Sequence, residues 1–152
     1  MKGLQTPLGD DKLTLKGKAV LADPGALDPL ADGFRLLLAS ALGVVVGEAT
    51  VPGGPYDPLA RVGWKTNAAG TRWVYRNGDG ADGVTAAKLT LGAGTPPELK
   101  FVVKSKKRAS VLAPGAGAPL AARLAFAGGD ECVVATFATC AEKSGGNVLA
   151  CR

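Results

Sequence analysis

The sequence predicts an all-β fold, an antiparallel β-sandwich of about eight strands, in one domain spanning residues 1–152. Three observations carry this. Apolar residues recur at every second position through most of the chain, which is the period of a half-buried strand. The 22 glycines and 10 prolines fall between those runs, in clusters such as Pro52-Gly53-Gly54-Pro55, where tight β connections need positive φ or a fixed bend. The length suits a single domain that buries about 70% of its unfolded surface without metals or many disulfides.

Taken in order, residues 12–16 put Leu13 and Leu15 on one face and Lys12, Thr14 and Lys16 on the other. Residues 30–42 support two readings. Leu30, Phe34, Leu37, Leu38 and Ala41 fall at helical spacing, with Asp32 as N-cap and Gly43 as stop. The favoured reading takes residues 35–40 and 44–51 as two strands, the second supported by its valines. Residues 71–76 alternate Trp73 and Tyr75 against Arg72, Val74 and Arg76; Ala87, Leu89 and Leu91 oppose Lys88 and Thr90. Residues 98–107 alternate most clearly, with Leu99, Phe101 and Val103 inward and Lys100, Val102, Lys104 and Lys106 outward. Leu120, Ala122, Leu124 and Phe126 form another inward stripe, and 132–140 continues as a β-branched run. Short strands at this spacing read as a jelly-roll or Ig-like sandwich.

Charge is uneven. The net charge is +5, but residues 61–110 hold ten Lys/Arg against three Asp/Glu, whereas residues 1–60 hold five against seven. No apolar run reaches the length of a spanning helix, and the first seven residues lack the apolar core of a signal peptide. The chain has three cysteines, Cys132, Cys140 and Cys151, and no histidine. Clustered cysteines without histidine or a repeated C-x-x-C argue for a disulfide and an oxidising compartment, not a zinc site. Missing histidine also removes every imidazole-dependent triad. In a hairpin turning near residues 143–146, Cys140 and Cys151 lie on adjacent strands and are the preferred pair, with Cys132 to Cys151 next. Cysteines and N-terminus are reconciled if this is a mature domain carrying an added Met1.

The order of pieces is distinctive: Lys-Leu-Thr-Leu-Lys, then Gly63-Trp64-Lys65, then Trp73-Val74-Tyr75-Arg76-Asn77, a Val-x-x-x-Lys-Leu-x-x-Gly run at 84–92, Leu99 to Lys104, and Gly-Gly-Asp-Glu-Cys-Val-Val. It resembles an uncharacterised extracellular β-domain recurring in hypothetical surface or secreted proteins of deltaproteobacteria, of the myxobacterial type. The resemblance implies export and an all-β module, and it implies no activity.

Two constellations are candidates for binding. Trp64, Trp73 and Tyr75, with Tyr56 nearby, offer flat faces for stacking on sugar rings, with Asn67, Asn77 and Asp79 to bond hydroxyls; core packing of Trp73 and Tyr75 is the plainer account. Lys100, Lys104 and Lys106, followed by Lys107 and Arg108 and accompanied by Arg72, Arg76 and Lys88, could form a basic face for a glycan or another anionic surface; a solvated face or edge protection is the plainer account. Phe101 points to the other side of that strand, against a specific nucleic-acid reader. The stretch 77–83 has oxygen donors but lacks the spacing and terminal glutamate of a calcium loop, and reads as a turn. No phosphate loop, nucleophile elbow or dinucleotide fingerprint is present.

The expectation is therefore a non-enzymatic module of an exported bacterial protein, secreted or at the cell surface, acting in display, envelope structure or adhesion. It needs no metal or cofactor and has no transmembrane segment. A carbohydrate-binding module with an aromatic platform is the alternative, and a small secreted hydrolase with a carboxylate pair the weaker one.

Overall fold

The computed structural model describes residues 12–40, 42–78, 83–106, 120–126, 132–137, 140–143 and 148–151. Two antiparallel sheets form a sandwich, and the sheets do not close into a barrel. The first sheet holds five strands: β1 (Lys12–Val20), β4 (Val62–Thr66), β5 (Arg72–Asn77), β6 (Val84–Leu91) and β7 (Glu98–Lys106), in spatial order β1-β7-β6-β5-β4. The second holds β2 (Phe34–Ala39), β3 (Val45–Val51), β8 (Leu120–Ala125) and β9 (Cys132–Phe137), in order β3-β2-β8-β9. Strands β10 (Cys140–Lys143) and β11 (Val148–Cys151) make a separate hairpin, in which Cys140 and Cys151 are Cα partners.

Period-two patterning places the core between the sheets. Leu15, Tyr75, Leu89, Leu99, Phe101 and Val103 enter it from the first sheet, and Phe34, Leu36, Leu38, Val51, Leu124 and Phe126 from the second. Leu120 is buried as well. The two layers are joined by rings: Phe34 meets Trp64 edge-on at a centroid distance of 6.0 Å and Phe126 at 5.9 Å, and Trp64 meets Tyr75 at 5.3 Å. Such pairs add about 0.5–1.5 kcal/mol each beyond area burial.

Residues 30–42 resolve toward strands. A single helical turn, α1 (Pro29–Asp32), is capped by Asp28, whose carboxylate accepts from the Leu30 and Ala31 amides at 3.1 and 3.2 Å. Asp32 is thus the last helical residue and not the N-cap, and Gly33 closes the helix where the helical reading had Gly43. The strand wins because β2 is paired on both sides, with β3 and with β8, which satisfies its backbone while Phe34, Leu36 and Leu38 are buried together.

Two devices were not visible in the alternation. Between Val84 and Ala86 the β6–β7 register shifts, so Thr85 is an extra residue. The bulge lets Val84 face inward while Ala87 and Leu89 do so as well, and Lys88 stays outside. At the other border, the chain leaving β3 runs beside β4: Trp64 N–H donates to the Gly54 carbonyl at 3.0 Å, and the Tyr56 amide to the Trp64 carbonyl at 2.8 Å. Gly63, with φ of 118°, permits this approach, because a Cβ there would lie 2.8 Å from the carbonyl carbon of Pro55.

Candidate functional site

The pleat and the register decide what the first sheet shows to solvent. Opposite the core-facing residues of β7 stand Lys100, Val102 and Lys104. Following cross-strand partners outward from each gives three rows across the sheet. The middle row reads Lys16, Val102, Lys88, Val74, Lys65 from β1 to β4. One flanking row reads Lys18, Lys100, Thr90, Arg72, and the other Thr14, Lys104, Ala86, Arg76. Every lysine and arginine in these rows is exposed, and the valines, Thr90 and Ala86 are half-buried between them.

Among the described residues, this face carries eight cationic side chains from five strands. Among the described residues its carboxylate is Glu98, which meets Lys18 at 3.0 Å and Lys100 at 3.8 Å. With strands about 4.8 Å apart, lysines two strands away in the middle row stand about 10 Å from one another. That is slightly more than the Debye length of about 8 Å at physiological salt, so most of their mutual repulsion is screened there and emerges at low salt. Each such pair repels by about 0.4 kcal/mol in water before screening.

The outer face of the second sheet differs. There Arg35 Nε donates to the Glu48 carboxylate at 2.6 Å, and that bond and the charge of Glu48 raise the Arg35 pKa. Arg123 is the cross-strand partner of Leu37, and Val134 and Thr136 of β9 are exposed. Among the described residues, cationic charge is thus concentrated on one side of the sandwich.

Of the residues expected to bind, Lys100 and Lys104 lie on this face, and the backbone of Lys106 continues the same alternation, opposite Lys12. The flanking Arg72, Arg76 and Lys88 join them. Lys107 and Arg108 lie outside the described residues. Sequence reading missed Lys16, Lys18 and Lys65, which belong to distant segments brought into line by β1 pairing with β7 and β4 with β5.

The aromatic platform is corrected. Trp64 and Tyr75 are each 1% exposed and Trp73 5%, so their rings belong to the core and offer no face to a sugar. The reason is register: Trp64 and Tyr75 are direct cross-strand partners on the inner side, and the Trp64 indole N–H is taken by the Pro52 carbonyl at 2.8 Å. Asn77 is buried beside them, and Asp79 lies outside the described residues. Tyr56 is half-buried at the β4 border, and Lys65 Nζ sits 4.2 Å from its ring centroid.

Among the described residues, Asp23 and Asp57, like Asp28, cap local turns. Asp23 accepts from the Gly25 amide at 2.8 Å, and Asp57 from the Leu59 and Ala60 amides at 2.7 and 3.2 Å. Among the described residues no group of three or more His, Cys, Asp or Glu gathers as a metal site, and no helix is long and apolar enough to cross a membrane. Cys132 pairs in β9 with Ala125 of β8, apart from the β10–β11 hairpin.

Compared with protein-family models, with curated proteins and with solved structures, the chain has no match in any of the three.

Proposed function

We propose that this domain is a non-enzymatic adhesion module of an exported protein, working through the cationic outer face of its five-stranded sheet against an anionic surface. The observation that carries the reading is where the cations stand. Lysines on an edge strand are explained by protection against unwanted pairing, which accounts for Lys16 and Lys18 on β1. That explanation fails for Arg72, Arg76, Lys88, Lys100 and Lys104, because β5, β6 and β7 are all paired on both sides. A face that keeps like charges about 10 Å apart on interior strands carries repulsion that fold stability does not require. An anionic partner relieves it.

Extracytoplasmic location rests on the cysteines. The register sets Cys140 opposite Cys151, and directly opposed antiparallel residues lie about 4.5–5.5 Å apart at Cα, inside the span a disulfide accepts. Such a bridge persists where the surroundings are oxidising.

The experiment compares two variants of equal net charge, Lys88→Glu on the proposed face and Arg123→Glu on the other sheet, for binding to anionic polymer beads across a salt series. Binding should weaken as salt rises and should fall for Lys88→Glu while Arg123→Glu keeps it. Equal losses would show that only the net charge of the chain acts, and the reading would fail.

A further inference from the structure

The geometry points to a linear acidic polysaccharide, one whose carboxylate or sulfate groups alternate with neutral stretches, as the polymer this face holds, lying across the strands along the middle row. The inference rests on the cationic-face reading above and specifies its ligand.

The middle row alternates cation and aliphatic at every strand: Lys16, Val102, Lys88, Val74, Lys65. Val102 and Val74 are half-buried and short, while the rows on either side carry long exposed side chains at Lys100, Lys104, Arg72 and Arg76. The result is an interrupted furrow: two apolar dips, at Val102 between Lys100 and Lys104 and at Val74 between Arg72 and Arg76, with Lys88 standing between the dips and Lys16 and Lys65 at either end. A sugar ring presents aliphatic C–H faces and equatorial polar groups together, so a polymer in this furrow can rest C–H surface on the valines while its acidic groups meet lysine. Thr90 adds a hydroxyl beside the furrow.

Other polyanions fit less well. Single-stranded nucleic acid is held by stacking successive bases on exposed aromatics, whereas the Trp64, Trp73 and Tyr75 rings are turned into the core and the half-buried Tyr56 ring is covered by Lys65. The duplex is read by an element that enters a groove, and a pleated sheet face offers none. Its phosphates also recur about every 3.4 Å along each strand, far more densely than cations about 10 Å apart along the row. An anionic bilayer calls for bulky apolar side chains to insert beside the cations. On this face Val74 and Val102 are recessed, and Val20, 61% exposed, stands at its border next to Glu98.

The test measures isotherms for the intact chain with polygalacturonate and heparin, with neutral dextran, with a random-sequence DNA duplex, and with phosphatidylserine-containing vesicles, each at two salt concentrations. Polygalacturonate or heparin should bind more tightly than duplex and vesicles at matched salt, and dextran should not bind. Lys88→Glu, at the centre of the furrow, should weaken the polysaccharide roughly tenfold or more, the scale of one lost charge-assisted contact. Val102→Glu should weaken it as well, and Arg123→Glu should not; circular dichroism and thermal melts establish that each variant is folded. Tighter binding to duplex or vesicles would overturn the polysaccharide assignment and leave the cationic face standing. Binding to dextran, or polysaccharide binding indifferent to Lys88→Glu and Val102→Glu, would overturn the furrow. No binding to any probe would overturn this inference and the adhesion reading together.

Discussion

Gly17→Ala should destabilise the domain, although alanine is ordinarily the better residue. Gly17 lies on the inner side of β1 directly opposite Phe101 of β7. A Cβ added there would stand 2.9 Å from Cε1 and 3.1 Å from Cε2 of the Phe101 ring, with Cζ nearer still. Phe101 is 1% exposed and ringed by core residues, so the phenyl cannot withdraw without displacing its neighbours. Overfilling a packed core costs about 1–3 kcal/mol, and the entropy that alanine removes from the unfolded chain returns about 0.4–1 kcal/mol. At the middle of these ranges the net loss is about 1.3 kcal/mol, or about 4 °C in melting temperature for a chain of this size. Gly17 is not among the positive-φ residues, so backbone strain plays no part. Urea titrations of Gly17→Ala, Phe101→Leu and the double variant check the argument. Phe101→Leu should cost stability alone, and the double variant should be more stable than the sum of the two losses by about 1 kcal/mol, because the shorter side chain vacates the space that the new methyl needs. A neutral or stabilising Gly17→Ala, or an additive cycle, would refute it.

Iodide should quench tryptophan fluorescence poorly in the native protein and efficiently in urea, since Trp64 and Trp73 are both core residues; ready native quenching would mean an exposed indole. Asp28→Ala should lose about 1 kcal/mol, seen as a lower urea midpoint with unchanged slope, by leaving the two α1 amides that it caps without their acceptor. Peptide mapping of protein oxidised with glutathione disulfide should find Cys140 linked to Cys151 and Cys132 free, the bridge contributing about 3 kcal/mol by loop closure; a Cys132 to Cys151 link, or three free thiols, would contradict the register argument.

The fold was legible where one residue in two is apolar and no irregularity intervenes. Strands β5, β7 and β8 follow directly from Trp73 and Tyr75, from Leu99, Phe101 and Val103, and from Leu120, Ala122 and Leu124. Strand β4 was hidden, because Gly63 and Trp64 are buried in succession where the sheet meets the chain at residues 54–57 and the alternation fails. Val84 was hidden by the bulge. The site was half legible. Lys100 and Lys104 declare a basic strand, but nothing local says that Lys16, 72 residues before Lys88, stands two strands away from it in the same row. That fact belongs to register, which long-range pairing sets. Trp64 misled for the same reason: its neighbours Gly63 and Lys65 leave its side of the sheet open, and only the pairing with Tyr75 turns it inward.

The long β1–β7 seam has a mechanical meaning. It matches nine residues to nine, from Lys12 opposite Lys106 to Val20 opposite Glu98. Tension applied at residue 12 along the strand axis, and resisted by a hold on β5 to β7, would pass through this seam in shear, so that the rungs share the load and yield together. Tension at right angles would peel the same rungs one after another at far lower force. The domain is therefore strong along one direction of pull and weak along the other, and a tether running along β1 would put its strong axis in line with drag.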